Sequence, residues 1–227
     1  MRSGCQTEPM ETALEIIRRG TTLRPVPLIP RISLYLADEP VGLWEDVEAA
    51  SGRVGTDPPF WAFAWAGGQA LARYLLDHPE VVRGRRVIDI ASGSGLVAIA
   101  AAMAGAATVT GYDVDPLAIA AIKVNADANG VPVRALCDDV LDRAADADLV
   151  LVADAFYERK LAERVTGFLL RNHANGVGFV VGDLGRTYLP RDHLTPVISY
   201  DVSGLSALED RDVKQTTIWT AARALFA

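Results

Sequence analysis

Residues 87–98, which read VIDIASGSGLVA, join a β-branched run to a turn of small residues and then to an Ala-rich helix. Glycines in such a turn let the backbone approach a ligand and leave the first amides of the helix directed at it. The segment therefore predicts a nucleotide-binding turn, although glycine turns also occur in loops that bind nothing. The candidate ligand contacts are Asp89, Ala91, Ser92, Gly93, Ser94 and Gly95.

The same turn satisfies the GxGxxA pattern of dinucleotide-binding proteins, so an NAD-binding oxidoreductase is an alternative. Asp89 argues against it, because a fixed negative charge at the end of the strand repels a pyrophosphate. A ligand that carries an ammonium and a sulfonium would instead be attracted. Asp113 ends the next predicted strand and can accept hydrogen bonds from both hydroxyls of a ribose, which supports a nucleoside without choosing between the two ligands.

Two further acidic positions follow predicted strands. Asp138 and Asp139 come after the third strand, where either carboxylate can accept from the amino group of an adenine or can simply face solvent. Asp115 precedes Pro116, and this pair is typical of a helix N-cap and first helical residue.

Residues 58–68, PPFWAFAWAGG, hold two of the four tryptophans. Large aromatic side chains usually pack in cores, and Phe63 is predicted to do so. Trp65 differs because it stands just before Gly67 and Gly68, with a single alanine between them. A flat ring next to backbone without side chains suggests a wall that faces the ligand.

Strand and helix patterns alternate from residue 87 onward, and this alternation must position these side chains. It predicts an α/β fold, a Rossmann-like, doubly wound, seven-stranded sheet that is mostly parallel. Because no long helix separates the last two strands, they are predicted to form an antiparallel pair. The strands are predicted at 87–90, 108–112, 131–136, 149–153, 176–181, 196–202 and 215–220, and the helices at 69–77, 95–104, 116–128 and 158–172.

Residues 1–57 are predicted to form an N-terminal cap rather than an independent domain, and residues 58–227 the ligand-binding domain. Hydrophobic periodicity predicts a helix at 8–20 and a helical turn at 43–49. Three prolines within 24–30 predict an extended strap, followed by a short edge strand at 32–37.

The net charge of −7, from 22 basic and 29 acidic residues, argues against nucleic acid as the main partner and suits a cationic ligand or a basic protein surface. The longest apolar run, 96–107, is too short to cross a membrane. Acidic residues and the lack of an apolar leader near the N-terminus predict a cytoplasmic protein. The three histidines are scattered and show no metal-ligand spacing, so no metal is expected.

Residues 89–95, Asp113 and Asp139 together resemble the motifs of class I, or seven-β-strand, S-adenosylmethionine-dependent methyltransferases. Ala91 departs from that pattern, which usually has a glycine there. Residues 59–72 (PFWAFAWAGGQALA), 154–157 (DAFY) and 182–190 (GDLGRTYLP) resemble the family-16 protein lysine methyltransferases, in particular those that act on the electron transfer flavoprotein β-subunit. Leu184 stands where that pattern has proline.

The resemblance implies S-adenosylmethionine as cofactor, S-adenosylhomocysteine as product, and a protein with an exposed lysine as substrate. It assigns Asp154 and Tyr157 as catalytic residues. Asp154 lies where open α/β sheets bind ligands, and it can hold an incoming ammonium or orient the amine after deprotonation. Tyr157 can line a lysine channel through cation–π contact or hydrogen bonding. The alternatives are a helix N-cap for Asp154 and a packing aromatic for Tyr157.

The sequence thus predicts a protein lysine N-methyltransferase, with the electron transfer flavoprotein β-subunit as favoured substrate and a ribosomal protein as a second. A small-molecule N-methyltransferase would share the cofactor half. An NAD-binding oxidoreductase and a catalytically silent S-adenosylmethionine-binding protein are more distant alternatives. Arg186 can bind substrate or fix its own loop.

Overall fold

The computed structural model describes residues 10–38, 40–51, 57–203 and 213–222. The predicted helix residues 8 and 9 lie outside these ranges. The helices are α1 (Met10–Gly20), α2 (Pro40–Ser51), α3 (Ala66–Asp77), α4 (Leu96–Met103), α5 (Pro116–Ala128) and α6 (Arg159–Ala174). The strands are β1 (Thr22–Val26), β2 (Ile29–Leu36), β3 (Arg86–Ile90), β4 (Thr108–Asp113), β5 (Arg134–Cys137), β6 (Leu149–Ala153), β7 (Gly178–Asp183), β8 (Leu194–Val202) and β9 (Lys214–Ala221).

Seven strands form one sheet in the order β5-β4-β3-β6-β7-β9-β8. The strands from β3 to β7 are parallel, whereas β9 runs antiparallel to both β7 and β8. The predicted fold class is therefore confirmed. The third predicted strand begins later than expected, at Arg134, because Pro132 has no N–H to contribute to a ladder.

Each central strand buries side chains on both faces, as parallel strands covered by helices must. Ile88 and Val150 pack in the core that also contains Phe168 of α6. Their neighbours Val87 and Leu149 point to the opposite face, where α3 and α4 cover the sheet. Because successive strand residues alternate between faces, Asp89 projects to the same side as Val87, towards α3 and α4.

The N-terminal segment differs from the predicted strap. β1 and β2 form an antiparallel hairpin that turns at residues 27–28, and Pro25 pairs with Ser33 in an exposed strand. An edge strand tolerates proline because one of its sides needs no N–H donors. Helix α1 then packs against both α5 and α2, in a core that includes Ile17, Leu43 and Leu117.

Asn125 of α5 and Asn129, which follows the last residue of that helix, hold the hairpin against the sheet domain. Asn129 Oδ1 accepts from the Ser33 N–H at 3.0 Å, and Asn125 Oδ1 accepts from the Tyr35 N–H at 2.8 Å. The fully buried Asn125 also donates to the Ser94 carbonyl oxygen at 2.8 Å. One side chain therefore ties the N-terminal hairpin to the predicted ligand turn.

None of the helices in the described ranges has the length and apolar character that crossing a bilayer requires.

Candidate active site

A cavity of about 1350 Å³ opens at the carboxyl ends of the parallel strands. This is the edge at which open α/β sheets bind ligands. All the predicted site residues except Gly95 line it. They are Trp65, Asp89, Ala91, Ser92, Gly93, Ser94, Asp113, Asp139, Asp154 and Tyr157.

Asp89 is buried at the end of β3 with only 2% of its surface exposed. It accepts a hydrogen bond from Ser92 Oγ at 2.6 Å and another from the Ala98 backbone N–H. Burial nevertheless raises its pKa to about 7, and the neighbouring Asp113 carboxylate adds to the rise. A cationic ligand would favour the charged form of Asp89.

The turn after β3 adopts left-handed backbone conformations. Gly93 and Gly95 have φ angles of 54° and 82°, and a side chain at Gly95 would press against Ile122, with its Cβ 3.2 Å from Ile122 Cα. Ala91 adopts a φ of 51° despite its Cβ. This conformation costs a non-glycine residue about 1–2 kcal/mol, which explains why the resembled family has glycine at this point.

Asp113 is half-buried at the end of β4 and faces the same cavity. It accepts from the Gly93 N–H at 2.9 Å and from the Asp115 N–H at 3.0 Å. Within the described ranges, no basic side chain forms an ion pair with either Asp89 or Asp113. Two neighbouring carboxylates without a paired cation supply negative charge and hydrogen-bond acceptors, which suit a positively charged nucleoside ligand.

Asp115 caps α5 as predicted. Its Oδ1 accepts from the Leu117 N–H at 2.8 Å, and Pro116 occupies the first turn.

Asp138 and Asp139 both lie on the cavity wall, and each is engaged by an arginine. Asp138 pairs with Arg143 at 2.5 Å, and both carboxylate oxygens of Asp139 accept from Arg164, at 2.9 and 3.1 Å. Both aspartates are exposed, so they can also meet a ligand. The adenine contact of Asp139 stays a prediction.

Aromatic rings form one side of the cavity mouth. The Phe60 ring lies 5.9 Å from the Trp65 ring and 5.8 Å from the Tyr157 ring. Trp65 Nε1 donates to the Phe60 carbonyl oxygen at 2.9 Å, which fixes the indole. Phe63 is 4% exposed and packs in the core, as predicted. We call Phe60, Trp65 and Tyr157 the aromatic wall.

Tyr157 stands two residues before α6 and is 52% exposed. The N-cap of α6 is Glu158, whose carboxylate accepts from the Lys160 and Leu161 N–H groups. Neither Asp154 nor Tyr157 therefore caps this helix. Both remain available to the cavity.

Asp154 follows β6 in a left-handed conformation with a φ of 55°, and its side chain is 11% exposed. Its Oδ2 accepts from the Gly68 N–H at 2.8 Å, in the first turn of α3, where the helix dipole favours a negative charge. A Cβ at Gly67 would lie 2.6 Å from the same oxygen and 2.4 Å from the Gly182 carbonyl oxygen. Gly67 therefore lets α3 approach Asp154 closely enough for this contact.

Arg186 pairs with Asp154 through Nη1 and Oδ1 at 2.5 Å, and this contact was not predicted. The same nitrogen lies 3.2 Å from Oδ2 of Asp183, which is fully buried at the end of β7. Burial raises the pKa of Asp154 even though Arg186 and the Gly68 N–H act in the opposite direction. The only sequence signal for this cluster was the GDLGR segment itself, which does not show what Arg186 contacts.

Comparison with known proteins identifies the family. The model of the ribosomal protein L11 methyltransferase (PrmA) family matches residues 69–172. The electron transfer flavoprotein beta subunit lysine methyltransferase of Xenopus laevis is 32% identical over 230 residues, which cover 96% of this chain and 92% of that protein. The human protein of the same name is 38% identical over 168 residues, covering 71% of this chain and 64% of that protein.

The chain belongs to the family of electron transfer flavoprotein β-subunit lysine methyltransferases. It is therefore an enzyme, and the methyltransferase prediction is confirmed. A crystal structure of magnesium protoporphyrin IX methyltransferase from Synechocystis PCC 6803 with bound SAH has a TM-score of 0.50, at 12% identity over 67% of this chain and 80% of that one. This likeness shows the shared fold.

The described residues contain no group of three or more His, Cys, Asp and Glu side chains that could hold a metal ion. The acidic positions around the cavity are instead distributed along the ends of β3, β4, β5 and β6. Each strand end therefore contributes its own carboxylate to a different part of the cavity.

Proposed function

We propose that the enzyme transfers a methyl group from S-adenosylmethionine to a lysine side chain of a protein, and that the favoured substrate is the electron transfer flavoprotein β-subunit. The observation that carries the proposal is a carboxylate, Asp154, whose side chain is only 11% exposed and which lines the same cavity as the aromatic wall, Asp89 and Asp113. The membership of the family supports the choice of substrate.

The residues on the cofactor side fit S-adenosylmethionine. Asp89 and Asp113 supply negative charge for a ligand with an ammonium and a sulfonium, and Asp113 also suits ribose hydroxyls. The left-handed turn places the Gly93 backbone, which carries no side chain, next to the cavity, and Gly95 lets the same turn pack closely against Ile122. Bound there, the cofactor would supply the activated methyl group.

On the acceptor side, the lysine must lose a proton before it can attack, because its free pKa is about 10.4. The proton passes to water, and Asp154 orients the neutral amine by accepting one of its hydrogen bonds. S-adenosylmethionine held near Asp89 and Asp113 would supply the methyl group to the lone pair of this amine and would leave as the thioether S-adenosylhomocysteine. The aromatic wall contacts the lysine stem and the charged methylammonium product, and it excludes competing water.

The residues at the mouth of the cavity favour a protein substrate. Phe60 and Tyr157 are 38% and 52% exposed, which is high for large aromatic side chains beside a cavity. Such a rim suits a long side chain presented by another protein better than a small molecule that is enclosed on all sides. A ribosomal protein is the second candidate, because the L11 methyltransferase family model matches the chain. A small-molecule N-methyltransferase is the remaining alternative.

The decisive experiment is transfer of a radiolabelled methyl group into purified electron transfer flavoprotein β-subunit, ribosomal protein L11 and a whole-cell extract. We expect label on lysine of the first protein, located by mass spectrometry. Label confined to small molecules would refute the proposal that the substrate is a protein. Label only on L11 would make the ribosomal protein, and not the electron transfer flavoprotein β-subunit, the favoured substrate. Calorimetry with NAD and with S-adenosylhomocysteine tests the cofactor, since tight binding of NAD alone would refute the proposal.

The affinity for S-adenosylmethionine is expected to fall as the pH is lowered through the pKa of Asp89. Because that pKa is raised to about 7, the free enzyme is protonated at Asp89 below this pH, and binding a cation must then release the proton. Between about pH 8 and pH 6 we expect roughly a tenfold loss of affinity. Isothermal titration calorimetry, with proton release measured in two buffers, tests this.

The matched variant is Asp89→Asn, whose affinity should be weak and nearly independent of pH over this range. The same shift affects the ligand-free protein in the opposite sense. A carboxyl whose folded pKa lies above its unfolded value stabilises the fold below about pH 4, and this contribution is lost as the pH rises towards 7. If the affinity of Asp89→Asn for S-adenosylmethionine depended on pH as strongly as that of the wild type, the effect would belong to another group, such as the nearby Asp113.

A further inference from the structure

Arg186 places a guanidinium against the carboxylate that is proposed to orient the lysine. Its side chain is only 19% exposed and lines the cavity. The 2.5 Å contact with Asp154 Oδ1 is an ion pair in a largely dehydrated setting, where charges act on one another more strongly than in water. The positive charge therefore acts on any group that binds at Asp154.

Asp183 contacts both the backbone and the guanidinium of Arg186 and so fixes this residue in place. Its Oδ1 accepts from the Gly185 and Arg186 N–H groups, each at 2.7 Å, and its Oδ2 lies 3.2 Å from Arg186 Nη1. Asp183 is fully buried, so these contacts are shielded from solvent. Burial alone would lower the pKa of Arg186, but the two carboxylates outweigh it and raise the pKa, so the guanidinium stays charged.

An isolated carboxylate would hinder the reaction as well as help it. Asp154 alone would stabilise the ammonium form of a bound lysine and raise its pKa, which opposes formation of the nucleophile. A neighbouring fixed cation has the opposite effect, because it repels the ammonium but not the neutral amine. With Arg186 behind Asp154, the carboxylate can orient the amine without trapping its proton.

We propose that Arg186 is a positioning residue that keeps the lysine amine bound at Asp154 in its uncharged, nucleophilic form. This inference rests on the proposed function. The amine gives its proton to water, and the guanidinium takes no part in bond making or breaking. The role differs from substrate binding and from simple loop fixing, because it acts through the charge of Arg186.

Other charged groups around the site work against Arg186. Burial raises the pKa of Tyr157, and nearby acidic groups raise it further, whereas Arg186 lowers it. The acidic groups that act on Tyr157 or Asp154 are Asp57 before the aromatic segment, Asp113 of β4, Glu158 at the start of α6 and Asp183 of β7. They would favour a lysine ammonium, so removing Arg186 should leave a site that retains the proton.

The test is the pH dependence of single-turnover methyl transfer to purified electron transfer flavoprotein β-subunit, measured with the wild type, Arg186→Gln and Arg186→Lys between about pH 6 and pH 10. In a plot of the single-turnover rate against pH, we expect the rising limb of Arg186→Gln to lie about one pH unit higher than that of the wild type. One charge beside a partly buried group shifts the pKa of that group by roughly this amount. The rate of Arg186→Gln should be about tenfold low near neutral pH and should recover in alkali. Arg186→Lys keeps the charge and should keep the wild-type limb.

Arg191→Gln is the matched control. Arg191 belongs to the same loop, and its Nη2 donates to the Gly185 carbonyl oxygen at 2.7 Å, but it forms no described ion pair with Asp154. Its loss can disturb the loop without removing the charge behind Asp154, so its pH profile should match the wild type.

Four outcomes would overturn the inference. A loss of rate in Arg186→Gln that is equal at every pH would mean a structural role only. A shifted limb in Arg186→Lys would mean that the charge is not the cause. No transfer to lysine by the wild type at any pH would refute the proposed function and this inference with it, whereas an active wild type with an unshifted Arg186→Gln profile would refute the inference alone.

Discussion

Asp154→Asn is expected to lower the rate of methyl transfer by at least about 100-fold while changing the affinity for S-adenosylmethionine by less than about threefold. Asparagine is nearly isosteric with aspartate and tolerates the left-handed conformation that this position adopts. Its amide oxygen can still accept from the Gly68 N–H. The variant therefore removes the charge that orients the amine and keeps the bond to Gly68, although its amide NH2 cannot replace Oδ1 as the acceptor for Arg186.

Single-turnover kinetics and calorimetry with S-adenosylhomocysteine measure the two quantities separately. Asp146→Asn is the matched control, because Asp146 is 96% exposed, pairs with Arg86 and does not line the cavity. It makes the same change of charge away from the site and should behave as the wild type. Full transfer activity in Asp154→Asn would remove Asp154 from the catalytic machinery.

Asp113→Ala is expected to weaken binding of S-adenosylmethionine by about 10- to 100-fold, because hydrogen bonds to a charged group contribute about 1.5–3 kcal/mol. The variant removes the carboxylate that faces the ribose in the proposed complex. It also deprives the Gly93 N–H, in the ligand turn, of its acceptor at 2.9 Å. At saturating cofactor the rate of transfer should return to near the wild-type value, since the lysine side of the cavity is unchanged.

This combination of weak binding and retained turnover is the reverse of the result expected for Asp154→Asn. Asp127→Ala supplies the control, since Asp127 is an exposed acidic residue of α5 that does not line the cavity. Calorimetry and a titration of the rate against cofactor concentration distinguish the two effects. An unaltered affinity in Asp113→Ala would exclude Asp113 as a ribose ligand.

Much of the fold could be predicted because its signals are local. The strand at Leu149–Ala153 and the helix at Pro116–Ala128 were predicted with their observed bounds, since an apolar run and a proline after an N-cap aspartate mark them within a few residues. The N-terminal hairpin was not predicted. Its prolines indicated an irregular strap, and its position in the fold depends on hydrogen bonds to Asn125 and Asn129, which lie about 90 residues further along the chain.

The cofactor side of the site could also be predicted from local signals in the sequence. Asp89, the turn to Gly95 and Asp113 lie at strand ends, and the order of the strands in a doubly wound sheet brings such ends together. Their residue types also indicated the charge of the ligand. The strain at Ala91 could not be predicted, because a φ angle depends on the path that the backbone must take between β3 and α4.

The sequence by itself determined that this protein has a doubly wound sheet with carboxylates at the ends of its strands, because strand periodicity, turn residues and caps act over short distances. Only the tertiary structure decided what surrounds Asp154. Arg186 is 32 positions away and Gly68 is 86 positions away, and both reach the carboxylate because β6 and β7 are neighbours and Gly67 lets α3 approach them. The electrostatics of the proposed reaction depend on those contacts, since a charge acts through space and not along the chain.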